Sequence, residues 1–219
     1  MDPDFWHDRW RTRHIGFHQS SPHPFLERWW PGLGVPARGR IYVPLCGKSL
    51  DMVWLAVRGH GVVGTELSEV AVADFFGEQQ VPVDVRPHGP FQRHTAGAFE
   101  LLQGDAFELT PALLRPVQAG YDRAALVALP PELRVRYAHQ FAGLMPAGSK
   151  TLLIGFEYPQ HRKPGPPFSV EPDEIERLYG EAFEVRELER VDILGSSPKF
   201  IDAGVDSLYE VAYSLTRRR

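Results

Sequence analysis

The sequence contains a single cysteine, Cys46, among 219 residues. One cysteine excludes an intrachain disulfide and is compatible with a reducing compartment. Because Cys46 follows an apolar run at a predicted strand end, we interpret it as a small packed side chain rather than as a nucleophile. No segment has the roughly 18 apolar residues of a membrane-spanning helix, and the first residues lack the apolar core of a signal peptide. We therefore expect a cytoplasmic protein.

A large excess of positive charge is also missing. The net charge is -4, with 24 Lys and Arg against 28 Asp and Glu, which argues against a mainly electrostatic nucleic-acid binder. The basic end formed by Arg217, Arg218 and Arg219 is typical of a solvated terminus. A composition of 43% hydrophobic and 24% charged residues is that of a globular protein. Since no repeat or low-complexity linker interrupts it, we predict one domain over residues 1–219.

The stretch over residues 40–66 organises the rest of the chain. An apolar run at 41–45 ends at Cys46 and Gly47, apolar residues at helical spacing follow, and a second apolar run ends at Glu66. This pattern predicts strand, glycine turn, helix and strand. In an open parallel sheet ligands lie outside the carboxyl ends of the strands, so Gly47 and Glu66 should face the same crevice. Glu66 comes 19 residues after Gly47. That is close to the spacing of roughly 20 at which a carboxylate meets the ribose of a nucleotide cofactor.

Three kinds of nucleotide site compete for this turn. A phosphate-binding P-loop requires a glycine five positions before Gly47, where Tyr42 stands, so this interpretation is rejected. A dinucleotide fingerprint needs three glycines that let the backbone approach a pyrophosphate, and the turn has one. A cofactor without phosphate needs only an open turn, an acid for its ribose and apolar walls. S-adenosylmethionine meets those conditions, because the protein has mainly to position its activated methyl group and exclude water.

The remainder of the chain alternates between helical and strand patterns. Charges inside an apolar run are costly, which makes Asp122 and Arg123 candidates for a functional site, with a structural ion pair as the alternative. Asp105 follows a strand and is either an N-cap or a ligand contact. The predicted elements after Glu66 are helix 69–79 with Ser68 as N-cap, a loop over 82–97 with at most a short strand, strand 99–102, a central strand with its turn over 117–129, helix 131–145, strand 150–156, a stiff proline loop over 158–168, helix 171–179, and a hairpin of strands 183–191 and 207–215.

Residues 1–35 are rich in aromatic side chains and histidine. Trp6 and Trp10 are four residues apart and would share a helical face, whereas the segment after about Arg13 is predicted to be irregular. Such a segment either plugs the end of the core or closes over a ligand as a lid, and the sequence leaves both open. No cysteine joins its histidines, and no metal site is predicted.

Several motifs together resemble one family. They are WHDRW at 6–10, GFHQ at 16–19, VPLCGKSLDMVWLA at 43–56, GVVGTELSE at 61–69, DRAALVAL at 122–129 and GPPF at 165–168. The set is similar to the thiopurine S-methyltransferase family of bacterial type. The resemblance implies an α/β class I S-adenosylmethionine-dependent methyltransferase fold. That fold is a three-layer Rossmann-like arrangement, whose seven-stranded mixed sheet has helices on both faces and a reversed final hairpin.

The resemblance also implies roles for individual residues. S-adenosylmethionine would be the cofactor and S-adenosylhomocysteine the product. Phe17 falls where the family places a substrate-side aromatic, and Trp6, Trp10 and Phe17 could stack on a flat heterocycle. Arg186 matches a position near the acceptor pocket, and Arg123 or Arg186 could favour an anionic acceptor. The implied cofactor contacts are Trp10, Leu45, Glu66 and Arg123, with Asp105 and Ala106 near the adenine.

Methyl transfer to a soft sulfur nucleophile is the resulting hypothesis. The acceptor would be a thiopurine or a related heterocyclic thiol, with selenium or tellurium compounds as further acceptors. A thiolate needs no strong base at the moment of attack, so no dedicated general base is predicted. The alternatives are a non-catalytic S-adenosylmethionine-binding module and a methyltransferase acting on another small molecule or on nucleic acid. No segment resembles a dimerisation helix, and a monomer is expected.

Overall fold

The structure is a computed structural model that describes residues 3–219. Residues 1 and 2 of the predicted lid segment lie outside the described residues. The chain divides into two compact units, the first ending at Tyr121 and the second running from Asp122 to Arg219. No helix within residues 3–219 is both long and apolar enough to cross a membrane.

The first unit contains the predicted strand, turn, helix and strand. Strand β1 (Arg40–Val43) is parallel to β2 (Gly61–Glu66) and to β6 (Ala119–Arg123), and β2 is parallel to β5 (Phe99–Gln103). With β3 (Asp84–His88) and β4 (Phe91–Ala96), the strand order in this unit is β3-β4-β5-β2-β1-β6. Its elements are α1 (Pro3–Arg11), α2 (Pro24–Trp29), β1 (Arg40–Val43), α3 (Leu50–Val57), β2 (Gly61–Glu66), α4 (Glu69–Gln79), β3 (Asp84–His88), β4 (Phe91–Ala96), β5 (Phe99–Gln103), α5 (Pro111–Leu114) and β6 (Ala119–Arg123), the last of which continues past the unit boundary.

The second unit completes the α/β pattern with an antiparallel end. Its strands are β7 (Lys150–Glu157), β8 (Phe183–Asp192) and β9 (Tyr209–Arg217), in the order β7-β9-β8. Both pairings are antiparallel, so the predicted final hairpin is confirmed. Helix α6 starts at Pro131, where the missing N–H of proline is not needed. The elements are α6 (Pro131–Leu144), β7 (Lys150–Glu157), α7 (Pro172–Tyr179), β8 (Phe183–Asp192), α8 (Pro198–Ile201) and β9 (Tyr209–Arg217).

The prediction of seven strands is wrong, because the sheet contains nine strands among residues 3–219. The two additional strands are β3 and β4, an antiparallel hairpin in the segment predicted to be a loop with at most a short strand. Gly89 forms its turn with a φ of 60°. Pro87 is tolerated in β3 because β3 is an edge strand, where one side of the backbone needs no partner. Most of β3 is exposed, so no buried alternation marked it in the sequence.

Two local predictions near the site have different outcomes. Helix α4 spans Glu69–Gln79 as predicted, and the Ser68 side chain caps it by accepting a hydrogen bond from the N–H of Ala71 at 3.3 Å.

The segment predicted to be irregular contains the short helix α2. The N-cap of α2 is His23, whose ring Nδ1 accepts a hydrogen bond from the N–H of Phe25 at 3.1 Å. Histidine is not a common N-cap, which is why the sequence did not reveal this helix.

Candidate active site

The turn between β1 and α3 has an unusual backbone conformation. Leu45 has a φ of 44° and Gly47 a φ of 52°. The left-handed region costs a residue with a side chain about 1–2 kcal/mol, so Leu45 is strained and Gly47 is not. Helix α3 then starts behind Ser49, whose hydroxyl accepts a hydrogen bond from the N–H of Asp51 at 3.2 Å. Strained residues at a turn that follows a strand are typical of ligand-binding sites.

Glu66, the last residue of β2, ties this turn to helix α4. Its Oε2 accepts a hydrogen bond from the N–H of Gly47 at 2.9 Å, and its Oε1 accepts one from the N–H of Ser68 at 2.8 Å. The side chain is buried. Burial raises the pKa of the Glu66 carboxyl, while hydrogen bonds from the backbone of Ser68, Gly47 and Leu67 partly oppose the rise. Each carboxylate oxygen has a further lone pair, so both can accept another hydrogen bond from a ligand.

Cys46 is a structural residue, as predicted. Its N–H donates to the carbonyl of Thr65 at 2.9 Å, which brings the turn against β2. The side chain is buried, and burial raises the pKa of the thiol well above its ordinary value, so a reactive thiolate is disfavoured. A Cβ placed on Gly64 would lie 2.6 Å from Cys46 Sγ and 2.8 Å from Leu101 Cδ2. Glycine at position 64 is therefore what lets the turn approach β2 this closely.

Aromatic residues of the N-terminal segment lie next to the glycine turn. A Cβ placed on Gly47 would be 3.0 Å from Cζ2 of Trp10, whose side chain is 2% exposed. The ring centroid of Phe17 lies 5.5 Å from that of Trp10 and 5.8 Å from that of Trp6, and both contacts are edge-to-face. The three predicted aromatic residues are thus brought together beside the turn that holds Leu45.

Ion pairs connect the N-terminal segment and the glycine turn to helix α4. Arg13, just after α1, pairs with Asp74 through both guanidinium nitrogens. Lys48, inside the turn, pairs with Glu78 and lies 3.8 Å from Asp74. These four side chains, which we call the α4 charge cluster, join the N-terminal segment, the turn and α4. Sequence reasoning missed the cluster because its members are widely separated along the chain.

Asp105 caps the short helical turn after β5. Its Oδ1 accepts a hydrogen bond from the N–H of Phe107 at 2.9 Å, so the N-cap interpretation is confirmed. Just before it, the N–H of Gly104 donates to the backbone carbonyl of Glu66 at 2.9 Å. Asp105 is exposed and Ala106 is buried. The structure therefore brings the Asp105–Ala106 segment beside the end of β2.

A second buried carboxylate supports the site without having been predicted. Asp51 Oδ1 accepts a hydrogen bond from the N–H of His23 at 2.7 Å, and its Oδ2 accepts one from the hydroxyl of Tyr121 at 2.9 Å. Asp51 is 1% exposed. It therefore anchors the N-terminal segment to α3 and β6. In the sequence Asp51 is only an acid in the first turn of a helix, and no local signal reveals this role.

The remaining predicted residues belong to the second unit. Arg123 is the last residue of β6. Its neighbour Asp122 is buried, and its carboxylate accepts hydrogen bonds from the hydroxyl of Tyr137 at 2.6 Å and from the N–H of Leu126 at 3.2 Å. Burial raises the pKa of Asp122 to about 6, although hydrogen bonds from Tyr137, Leu126 and Ala125 oppose the rise. Asp122 thus shapes the turn after β6.

Arg186 lies away from the carboxyl end of β7. The register places Arg186 opposite Ser214 of β9, which in turn faces Leu152, five residues before Glu157 at the end of β7. Five residues of extended strand span about 17 Å. Arg190, which no sequence motif marks, lies closer to that end and pairs with Glu157 and Glu187. The role of Arg186 stays a prediction.

Within residues 3–219 no group of three or more His, Cys, Asp or Glu side chains is arranged to hold a metal ion. The site in the first unit is instead built from backbone N–H groups, the buried carboxylate of Glu66 and aromatic rings. Such a set suits an uncharged or cationic organic ligand with hydroxyl groups.

Comparison with known proteins identifies the fold and the family. The family described as Thiopurine S-methyltransferase (TPMT) matches residues 1–218. A thiopurine S-methyltransferase from Pseudomonas fluorescens (strain Pf0-1) is 50% identical over 215 residues, which cover 98% of this chain and 99% of the relative. Another from Methylococcus capsulatus (strain Bath) is 49% identical over 216 residues, covering 98% and 97%. The crystal structure of Burkholderia thailandensis 1,6-didemethyltoxoflavin-N1-methyltransferase, with bound 1,6-didemethyltoxoflavin and S-adenosylhomocysteine, has a TM-score of 0.65 and 14% identity, covering 99% and 87%.

The fold is therefore that of the class I S-adenosylmethionine-dependent methyltransferases, an α/β fold with a mixed sheet. Within that class, the chain belongs to the thiopurine S-methyltransferase family. The predictions of the family, of a methyltransferase and of S-adenosylmethionine as methyl donor are confirmed.

Proposed function

We propose that this chain transfers the methyl group of S-adenosylmethionine to the sulfur of a thiopurine or a related heterocyclic thiol. Relatives of 44–50% identity that match nearly the whole chain carry the name thiopurine S-methyltransferase. Identity at this level over full length supports the same reaction. The assignment of individual residues rests on the geometry of the first unit.

The buried carboxylate of Glu66 is the observation that carries the donor site. Two backbone N–H groups hold it at the carboxyl ends of β1 and β2, where open α/β sheets bind ligands. A carboxylate fixed in this way can accept hydrogen bonds from both ribose hydroxyls without reorganising. The strained turn at Leu45 would receive the amino-acid part of the cofactor. Trp10 and the Asp105–Ala106 segment would border the sulfonium and the adenine.

The chemistry requires little from the protein beyond positioning. The sulfur of a thiolate attacks the methyl carbon, the bond from that carbon to the sulfonium sulfur breaks, and its electron pair stays on S-adenosylhomocysteine. The positive charge of the donor and the negative charge of the thiolate are both neutralised. Heterocyclic thiols ionise near neutral pH, so no dedicated general base is needed. The side chains have to align donor and acceptor and exclude water.

Aromatic and basic side chains would receive the acceptor. Trp6 and Phe17 are in edge-to-face contact and would stack on a flat heterocycle, with the N-terminal segment acting as a lid. The buried position of Trp10 against Gly47 and the pairing of Arg13 with Asp74 support a closed lid. Arg123, at the carboxyl end of β6, would favour the anionic form of the acceptor by charge, whereas the position of Arg186 argues against the same role for it.

A single assay tests the reaction. The protein is incubated with isotopically labelled S-adenosylmethionine and 6-mercaptopurine, and the product is identified by mass. We expect one methyl group on sulfur and one equivalent of S-adenosylhomocysteine. Binding of S-adenosylhomocysteine without any methylated product would contradict the thiopurine assignment. Replacing the thiol by selenium and tellurium compounds in the same assay tests the alternative acceptors.

The proposal also covers the oligomeric state, the number of domains and the kind of substrate. We propose a monomer of one domain that acts on a small molecule and not on nucleic acid. The net charge of -4 and the match of one family over residues 1–218 support this. The single, free Cys46 is compatible with the cytoplasm. Binding of nucleic acid that persists across a range of salt concentrations would contradict it.

A further inference from the structure

Arg134 is a buried charge in the second unit whose position calls for an explanation. It lies in the first half of α6 and is 1% exposed. Its Nη1 donates to both carboxylate oxygens of Glu174 on α7 at 2.8 Å, and its Nε donates to the carbonyl of Leu129 at 2.9 Å. Its guanidinium carbon lies 5.7 Å from the ring centroid of Phe168. One side chain therefore contacts α7, the turn after β6 and the proline loop after β7.

Stability alone does not account for this arginine. Removing a guanidinium and a carboxylate from water is expensive, and apolar replacements of buried ion pairs are often neutral or stabilising. Arg134 also leaves Nη2 without a hydrogen-bond partner among residues 3–219. An unsatisfied buried donor adds to the cost. A side chain that contributes little net stability but fixes three segments in one geometry is better explained by what those segments do.

The proline loop that Arg134 contacts is internally rigid. The hydroxyl of Tyr158 donates to the carbonyl of Pro167 at 2.6 Å and accepts from Gln160 Nε2 at 2.9 Å. Gln160 also accepts from the N–H of Ser169 at 2.7 Å and donates to the carbonyl of Lys163 at 2.6 Å. These bonds cross-link the loop between its two ends. The orientation of the loop therefore depends on how its end is held.

Phe168 is the point where the loop joins the rest of the second unit. Its N–H donates to the carbonyl of Val127 in the turn after β6 at 2.7 Å. A Cβ on Gly165 would lie 2.7 Å from Phe168 Cδ1, so the ring is packed between Gly165 and Arg134. The ring is only half-buried. The loop and the turn each follow the carboxyl end of a strand, which is where open α/β sheets bind ligands.

We propose that Arg134 is a positioning residue for the methyl acceptor. By holding Leu129, Phe168 and Glu174 together, it sets the orientation of the Phe168 ring and of the proline loop as one wall of the acceptor pocket. It contacts no substrate and no cofactor itself. This inference rests on the proposed function, because it assumes that the acceptor binds beside the proline loop. Its consequence is that Arg134 governs the use of the acceptor and leaves cofactor affinity unchanged.

The test compares four variants of the full chain with the wild type. Arg134→Lys retains a cation for Glu174, Arg134→Met removes it, and Arg134→Met with Glu174→Met replaces the whole pair. Arg136→Met alters an exposed arginine on the same helix and is the matched control. For each protein we measure the urea midpoint, the Kd of S-adenosylhomocysteine and the kinetic constants for 6-mercaptopurine. The exchange rate of the Phe168 amide proton is measured by mass spectrometry.

We expect the double variant to keep the wild-type urea midpoint and to bind S-adenosylhomocysteine within about twofold, while kcat/KM for the acceptor falls by about tenfold or more. The Phe168 amide should exchange faster in both methionine variants, and Arg134→Lys should recover part of the lost kcat/KM. Wild-type acceptor kinetics in a stable double variant would overturn the proposal. A parallel loss of urea midpoint and cofactor affinity would overturn it too, since that describes a purely structural residue.

Two further outcomes are informative. If the double variant does not fold, Arg134→Lys decides, because it retains a charge for Glu174 and loses the bond to Leu129. A lower kcat/KM for the acceptor at wild-type affinity for S-adenosylhomocysteine then supports the proposal, and wild-type acceptor kinetics overturn it. If the wild type methylates no thiol at all, the proposed function fails. The amide exchange of Phe168 then decides whether Arg134 fixes the loop, and unchanged exchange in Arg134→Met overturns that role.

Discussion

Glu66 has two tasks that follow from one position. As an acceptor for the N–H groups of Gly47 and Ser68, it fixes the relative position of the turn and α4. As a buried carboxylate with free lone pairs, it is the group that would bind ribose hydroxyls. Its raised pKa reflects burial, and its backbone partners limit that rise. A substitution at Glu66 therefore affects both stability and cofactor affinity, and the two effects have to be separated.

Replacing Glu66 should weaken cofactor binding. In Glu66→Ala we expect the loss of charge-assisted hydrogen bonds of about 1.5–3 kcal/mol each at most, which for one such bond raises the Kd of S-adenosylhomocysteine roughly 10- to 150-fold. The N–H groups of Gly47 and Ser68 would lose their acceptor, which should also lower the free energy of unfolding by about 1–3 kcal/mol each. Glu66→Gln keeps one acceptor and should be milder in both respects. Calorimetric titration and urea unfolding give the two quantities.

The exposed Glu69 in the first turn of α4 provides a control for charge. Glu69→Gln should bind S-adenosylhomocysteine like the wild type. Wild-type affinity in a folded Glu66→Ala would show that the ribose lies elsewhere.

Gly47 is required by its backbone angle and by Trp10. An alanine at position 47 would be strained at a φ of 52° and would have its Cβ 3.0 Å from the Trp10 ring. We expect Gly47→Ala to lose at least about 1–2 kcal/mol of unfolding free energy and to displace Trp10. Gly77, inside α4, has no positive φ, and a Cβ added to it would have nothing within 4 Å. Gly77→Ala should gain up to about 1 kcal/mol. Equal stability of the two variants in urea would refute the strain at position 47.

Asp122 makes stability depend on pH in a specific direction. Its pKa is about 6 in the fold because of burial, above the ordinary value of 3.8. The folded state therefore binds the proton more tightly than the unfolded state. The resulting stabilisation is complete below about pH 3.8 and is lost as the pH rises through 6. A difference of about two pKa units corresponds to roughly 3 kcal/mol.

The measurement is urea unfolding between pH 4 and 7 for the wild type and Asp122→Asn. The unfolding free energy of the wild type should fall relative to that of the variant as the pH increases through this range. Asparagine does not titrate, so the other carboxylates contribute equally to both proteins and cancel. Parallel pH profiles would show that Asp122 titrates normally.

At the scale of elements, the N-terminal segment is attached at two separate places. Asp51 holds the backbone at His23, and the α4 charge cluster holds Arg13. Trp6, Trp10 and Phe17 precede His23 and lie on the part that the charge cluster holds at Arg13. A truncation before position 23 would therefore remove the aromatic residues and keep the anchor at Asp51.

Deleting residues 1–20 tests the lid. Because His23 and Asp51 remain, we expect a folded protein with native circular dichroism that has lost turnover and binds S-adenosylhomocysteine more weakly. Asp74→Asn loosens the charge cluster and should have a smaller effect, since an exposed ion pair contributes about 0–1 kcal/mol. A truncated protein with normal activity would refute the lid.

The elements also show why sequence patterns succeed in one place and fail in another. Helix α3 was predictable because its apolar residues follow the helical period, and strands β1 and β2 were predictable because each is a continuous apolar run that is buried in the sheet. Strands β3 and β4 were not, since β3 is almost wholly exposed and contains a proline. An edge hairpin is held by backbone hydrogen bonds, which leave little trace in side-chain identity.

At the scale of the whole molecule, one domain remains a prediction that unfolding can test. All five tryptophans of the chain, Trp6, Trp10, Trp29, Trp30 and Trp54, precede the unit boundary at Tyr121. Tryptophan fluorescence therefore reports on the first unit alone, whereas far-ultraviolet circular dichroism reports on both. We expect the two urea transitions to coincide, as they do for a cooperative domain. Two separated transitions would show that the units unfold independently.

The sequence by itself determined the βαβ core, the positions of Gly47 and Glu66 and the family, because periodicity, turn chemistry and motif spacing are local properties of the chain. Only the tertiary structure decided that Asp51 anchors the N-terminal segment, that Asp74 links Arg13 to Lys48, and that Arg134 joins three segments. These contacts connect residues far apart in sequence. The value of a buried charge depends on partners that the fold brings to it, and no local pattern encodes them.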